Sequence, residues 1–323
     1  MIIKYAAANV GAIMISIVLA LMPYDAEARE IEPADVFIRV THLREELELL
    51  RYEMGQPKSY QPELRVADAV PREVYAQASA LFELANRFCY EHTQELTKPP
   101  DRHEGEIMPS HVFDLVNAAL KQIVIVKLKY NINEQIQELP RDPRMTPSDV
   151  YRSIINAQRQ LNILLDRQVT PTDVYLEVTT AIEHASRLLL FFPAAESLPA
   201  TPHFERGKVP VDIYYRMIRC YGILQEIAEH SGIKILKLEE INLDSDRIDI
   251  LQLNDKHYIA TLIASELSYL SQLMRNEPAL LTDFTCFLER RFPSHVYQRL
   301  GVLEEQLEEL NKWVIKVPNW LGE

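Results

Sequence analysis

The sequence predicts an all-α protein, a helical repeat or bundle of about eight helices of roughly 20 residues each, and three observations carry that prediction. A five-residue motif, P-x-[DEH]-[VI]-[YF], recurs as PADVF at 33–37, PREVY at 71–75, PSHVF at 109–113, PSDVY at 147–151, PTDVY at 171–175, PVDIY at 210–214 and PSHVY at 293–297, with NDKHY at 254–258 as a degenerate copy. The aromatic of the motif, at Phe37, Tyr75, Phe113, Tyr151, Tyr175, Tyr214, Tyr258 and Tyr297, returns at intervals of 38, 38, 38, 24, 39, 44 and 39 residues. Behind seven of the prolines, apolar or small residues stand at three, seven, ten, fourteen and seventeen residues on.

The motif is helix-start chemistry. Proline is favoured at the first helical position, where its fixed φ and missing N–H are no handicap. Asp35, Glu73, Asp149, Asp173 and Asp212 then face the positive end of the helix dipole, and Thr146 and Thr170 stand just outside as side-chain caps. His111 and His295 take the acid's place in two copies, as neutral capping or surface histidines.

The apolar spacing then defines each helix as a packing seam. In the first copy it runs Val36, Val40, Leu43, Leu47, Leu50; in the fourth, Val150, Ile154, Ala157, Leu161, Leu164; in the last, Val296, Leu300, Leu303, Leu307, Leu310. Steps of four and three residues suit helices that pack nearly parallel or antiparallel, knobs into holes. The copy near Tyr258 puts Thr261 and Ser268 on that line, and Ile259, Ile263, Leu267 and Leu270 offer a replacement.

Connections follow from length. The five residues 166–170 predict a tight antiparallel hairpin between the fourth and fifth helices. Linkers near 56–70, 94–108, 132–146 and 193–209 hold about 15 residues each, enough to span roughly 50 Å when extended and so to allow parallel neighbours. Proline and charge dominate them, which predicts strapped-down loops. Alternation over 233–253 allows a small β-hairpin, and 277–292 reads as one further short helix.

Residues 1–28 read as an address. Lys4, an apolar run from Tyr5 to Met22, Pro23 and Ala26-Glu27-Ala28 have the order of a cleaved secretory signal, with an uncleaved N-terminal anchor as the other possibility. Residues 29–323 are then one continuous repeat domain, with a pseudo-symmetry point near 167–171, and no later stretch is apolar for long enough to cross a bilayer after signal cleavage. The expected location is periplasmic or secreted.

The formal net charge of −13, with no basic stripe, argues against nucleic acid as a partner. Cys89, Cys220 and Cys286 fall on or beside apolar lines and read as buried thiols. None of the eight glycines forms a phosphate-cradling loop, and G-x-S-x-G, H-E-x-x-H and C-x-x-C strings are absent, so no cofactor and no metal is expected. Asp101, His103, Glu104 and Glu106 form the nearest thing to a ligand cluster, in a loop whose composition fits simple solvation.

The recurring ring follows the first seam residue, on the flank of the buried face, where a tyrosine packs its ring and leaves its hydroxyl wet. Tyr151, Tyr175, Tyr214 and Tyr297 are the binding candidates if some copies face a groove. The expected function is that of an exported, non-enzymatic helical repeat protein whose surfaces bind another envelope or secreted protein or serve as a scaffold. The alternatives are a helical sensor or carrier, with room for a small ligand beside Ala119, Ala157 and Ala181, and a hydrolase with a dispersed site.

Overall fold

The computed structural model describes residues 30–58, 64–101, 103, 105–137, 139–238, 253–274, 290–317 and 319–321. Among them the chain forms eight helices: α1 (Pro33–Glu53), α2 (Pro71–Thr93), α3 (Pro109–Lys129), α4 (Pro147–Leu164), α5 (Pro171–Leu189), α6 (Pro210–His230), α7 (Leu253–Leu273) and α8 (Pro293–Lys316). Two short strands, β1 (Val66–Ala67) and β2 (Lys237–Leu238), complete the described elements. The fold is all-α, as the repeat predicts. The leader at 1–28, most of the 233–253 stretch and most of the expected helix at 277–292 lie outside the described residues.

Seven helices open on the motif's proline, and the third motif residue does more than face a dipole. Its side chain accepts a hydrogen bond from the backbone N–H of the residue just before the proline. Asp35 takes it from Glu32 at 2.9 Å, Glu73 from Val70 at 2.8 Å, Asp149 from Thr146 at 2.8 Å, Asp173 from Thr170 at 2.7 Å and Asp212 from Val209 at 2.8 Å. His111 and His295 do the same through Nδ1, to Met108 at 2.9 Å and Phe292 at 3.0 Å. A neutral imidazole therefore substitutes for a carboxylate because the task is to accept one N–H. Thr146 and Thr170 add the reciprocal half, accepting from the N–H groups of Asp149 and Asp173.

Helices α1 and α2 each pack on α3 and α4, while α5 and α6 each pack on α7 and α8. The result is two four-helix bundles. In the first, the four proline ends meet: Pro33, Pro71, Pro109 and Pro147, with the valines three residues on, line a cavity of about 20 Å³. Partners also stand at matching heights, Asn86 with Gln122 and His92 with Tyr130. All four helices of that bundle therefore run in one direction. In the second bundle, Arg291 N–H donates to Thr172 Oγ1 at 3.0 Å and Lys208 N–H to Ser294 Oγ at 3.2 Å, joining the starts of α5, α6 and α8.

Parallel neighbours require each linker to walk back the length of a helix, and side chains strap the linkers down on the way. Arg141 ties one to Asp35 at 2.8 Å, Asn86 Oδ1 accepts from Thr97 N–H at 2.9 Å, and Gln306 Nε2 donates to Ser197 O at 2.7 Å.

The seam is buried throughout: in all seven proline-led helices each of its five positions is at most 4% exposed. Burial of this kind is the main stabilising contribution to the fold. In α7 the replacement line is the buried one, with Ile259, Ile263, Leu267 and Leu270 inside and Thr261 and Ser268 only half-buried. Cys89 and Cys220 are buried free thiols, and burial pushes Cys220 well above the usual thiol range.

Two expectations are corrected. The chain leaves α4 through the tight turn at 165–166, but α4 and α5 do not pack along one another as a hairpin; each joins its own bundle instead. Both seams are already filled by helices of their own bundles, which leaves no apolar face for the hairpin. Nor does the 233–253 stretch pair with itself where it is described: β2 pairs antiparallel with β1, Val66 opposite Leu238 and Ala67 opposite Lys237. Because β1 precedes α2 and β2 follows α6, the proline end of the first bundle lies beside the far end of the second.

Candidate functional site

The motif's ring is part of a joint that recurs from helix to helix. The side chain six residues after one proline reaches the ring four residues after the proline of the next helix. Arg39 lies 5.1 Å from the Phe113 ring, Arg216 lies 4.4 Å from Tyr297, and Arg299 lies 5.7 Å from Tyr175. A second cation, two residues before the donor helix's proline, covers two of these rings: Lys208 at 4.2 Å from Tyr297 and Arg291 at 4.9 Å from Tyr175. Each such contact is worth about 0.5–1 kcal/mol where partly exposed. Arg216 is held further by Glu304, at 2.6 Å, which also takes Arg219 at 2.9 Å.

The four candidate tyrosines are thus distributed over four helices. Tyr175 and Tyr297 are half-buried rings bracketed by cations. Tyr214 is buried, with Tyr215 edge-on at 5.9 Å. Tyr151 is fully buried, its hydroxyl beside Gln77, the residue six after the proline of α2. Among the described residues, no three histidine, cysteine or acidic side chains gather as a metal site. His103 stacks on His111 with ring centroids 3.6 Å apart, and Asp101 faces Lys98 at 3.5 Å.

A second constellation lies where the bundles meet. Glu73 and Glu266 are each 1% exposed. Arg72 pairs with Glu266 at 2.9 Å, and Glu73 accepts from the backbone N–H groups of Val70 and Leu236. The two buried carboxyls face one another closely enough for the charge of one to raise the other, which favours a single proton held by the pair. Burial first, and the charge of Glu266 second, push Glu73 up to about 8, while Glu266 is raised chiefly by burial. Around them stand Tyr151 on α4 and Tyr221 on α6, whose hydroxyl donates to Leu236 O at 2.6 Å; burial raises both phenols.

Glu73 was legible only as a helix-start acid. Glu266 had a usable signal: on α7 the buried residues Ile259, Ile263, Glu266 and Leu270 repeat the seam's steps of four, three and four. An acid therefore holds the third seam position, where the other helices carry Leu, Ala or Cys. Such a substitution on an apolar line marks a carboxyl that needs a buried partner. Chemically, the pair can hold and release a proton, and it is closed off from solvent. Elsewhere, burial holds His257 and His184 neutral, each at about 4.

No protein-family model, curated protein or solved structure matches the chain.

Proposed function

We propose that this is an exported, non-enzymatic helical repeat protein whose helix surfaces act as a protein-interaction or scaffold module in the cell envelope. The observation that carries the reading is the repeated joint: the motif's rings and the residues six after the prolines engage neighbouring helices. The chemistry of the repeat thereby goes into holding rods in register, which is what a scaffold needs. Surface apolar groups remain for a partner, among them Tyr52, 80% exposed, and Leu128, 65% exposed. Export rests on the order of Lys4, the Tyr5–Met22 run and Ala26-Glu27-Ala28.

The test is affinity capture of the tagged, full-length protein from envelope extract after crosslinking in cells. A protein partner recovered in fixed proportion, and lost when Tyr52 and Leu128 are made Ser, is the expected result. A small molecule that co-purifies with no protein partner would replace the scaffold with a carrier. Intact residues 1–28 on soluble cytoplasmic material would defeat the export part.

A further inference from the structure

We propose that the Glu73–Glu266 carboxyl pair is a proton-operated latch between the two bundles. With one proton between them, the carboxyls tie α2 to α7 and to the approach of β2. Without it, two carboxylates oppose one another across the joint.

The geometry makes the latch specific to this place. Glu73 sits at the start of α2, where its two oxygens accept the N–H groups of Val70, in its own cap, and of Leu236, from the segment after α6. Glu266 comes from α7. Arg72 is the guanidinium that faces the pair; it bonds Glu266 at 2.9 Å, donates to Lys234 O, and is covered by the Tyr269 ring at 4.3 Å. Among the described residues, the phenols of Tyr151 from α4 and Tyr221 from α6 also face the pair, both kept neutral by burial, with Tyr258 from α7 close to Tyr151. The Lys237–Asp68 pair, at 2.8 Å, is exposed on the strands outside the cluster. Among the described residues, one guanidinium therefore serves two buried carboxyls. When the shared proton leaves to solvent, Arg72 and two backbone N–H groups are what the described residues set against the burial of two negative charges.

The sign follows from linkage. In the closed joint Glu73 titrates at about 8, against 4.5 when free in water. A raised carboxyl favours the closed state fully below 4.5, and that preference drains away as pH rises through about 8. With one linked proton, the opening equilibrium should increase about tenfold per pH unit inside that window and level off above it. Opening would release β1 from β2 and Leu236 from Glu73, so the effect is local to the joint.

Hydrogen exchange on the full-length protein tests this across about pH 6 to 9, after division by intrinsic amide chemistry. Segments 64–75, 233–238 and 262–270 should show opening that climbs about tenfold per unit and then flattens, while α1 and α3 stay flat. Glu73→Gln, which can donate to Glu266 without titrating, should remove the slope; Asp68→Asn should leave it intact. Should Glu73→Gln fail to fold, infrared spectra of the unaltered protein decide: a protonated-carboxyl stretch that persists at neutral pH and vanishes near pH 8 is expected. Flat protection in the wild-type joint, or the absence of that stretch, overturns the latch.

Discussion

The two bundles share one topology but hold their helices in register by different means. In the first, all four helices begin with the proline motif at a constant 38-residue interval, and the four starts close over one apolar ring of prolines and valines. In the second, α7 opens without a proline and the intervals are 39, 44 and 39. There the doubly bracketed rings run from α6 to α8 to α5, the three proline-led helices, and α7 stands outside that series. Glu304 gathers Arg216 and Arg219, and Gln306 reaches Ser186 at 2.8 Å. Where four identical starts are available, apolar closure sets the heights of the rods. Where one has been lost, charged and hydrogen-bonded ties between the other three do that work.

That comparison can be broken most strongly at the seam. Leu47 and Leu307 stand fourteen residues after their prolines, one in each bundle, and both are fully buried. Leu47→Ala and Leu307→Ala should each cost about 2–5 kcal/mol. Both should lower a single calorimetric transition, because the buried carboxyl joint couples the bundles. Two separated transitions in either variant would show the bundles to be independent.

The bracketed rings come next. Arg299→Ala removes a cation from Tyr175 and a 3.2 Å hydrogen bond to Thr179. A loss of about 1–2 kcal/mol in denaturant unfolding is expected. Arg39→Ala in the first bundle should cost less than half of that, since the proline ring already fixes the height of α1. Equal losses would remove the distinction between the bundles.

A smaller effect is expected at Gly301. A Cβ there would meet Arg216 Nη2 at 2.7 Å and Pro202 Cγ at 2.9 Å. An alanine normally strengthens a helix interior by about 1 kcal/mol, but crowding a pinned guanidinium and a proline ring costs about 1–3 kcal/mol. Gly301→Ala should therefore destabilise by about 1 kcal/mol, and a rise in Tm would mean that Arg216 is not held by Glu304 and Tyr297.

The smallest effect concerns the caps. Burial, then the neighbouring His103, holds His111 below the ordinary histidine value. Its contribution is present above 6.5 and is lost as pH falls below that value, since protonated Nδ1 no longer accepts from Met108. His111→Asp should flatten that acid-side loss and add about 0.5 kcal/mol near neutral pH through the helix dipole. A melt series between about pH 5 and 7 reads both changes.

The seam was almost wholly legible beforehand because it obeys a local rule. Position along a helix decides which face is apolar, and Val40 or Leu303 needs no knowledge of its neighbours to be placed inside. The caps were legible as helix starts, but the reach of Asp35 or His295 back to the preceding N–H was not separated from a dipole effect. The hairpin at 166–170 was misread because linker length limits where a chain can go without saying which apolar face it will find. The joint of Glu73 with Glu266 was legible only in one half: an acid on the apolar line of α7 marks Glu266, but nothing local names Glu73, 193 positions away, as its partner.

By itself, the sequence determined where seven rods begin, which stripe of each is buried and how far the chain can travel between them. These properties depend on backbone sterics and on a period of 3.6 residues, both local. Tertiary structure alone decided that the four rods of the first bundle run the same way, that a ring from one rod meets a cation from the next, and that two acids share one buried site. The last point turns on distance in space: burial and a like charge raise a carboxyl only once folding has brought both to the same few ångströms.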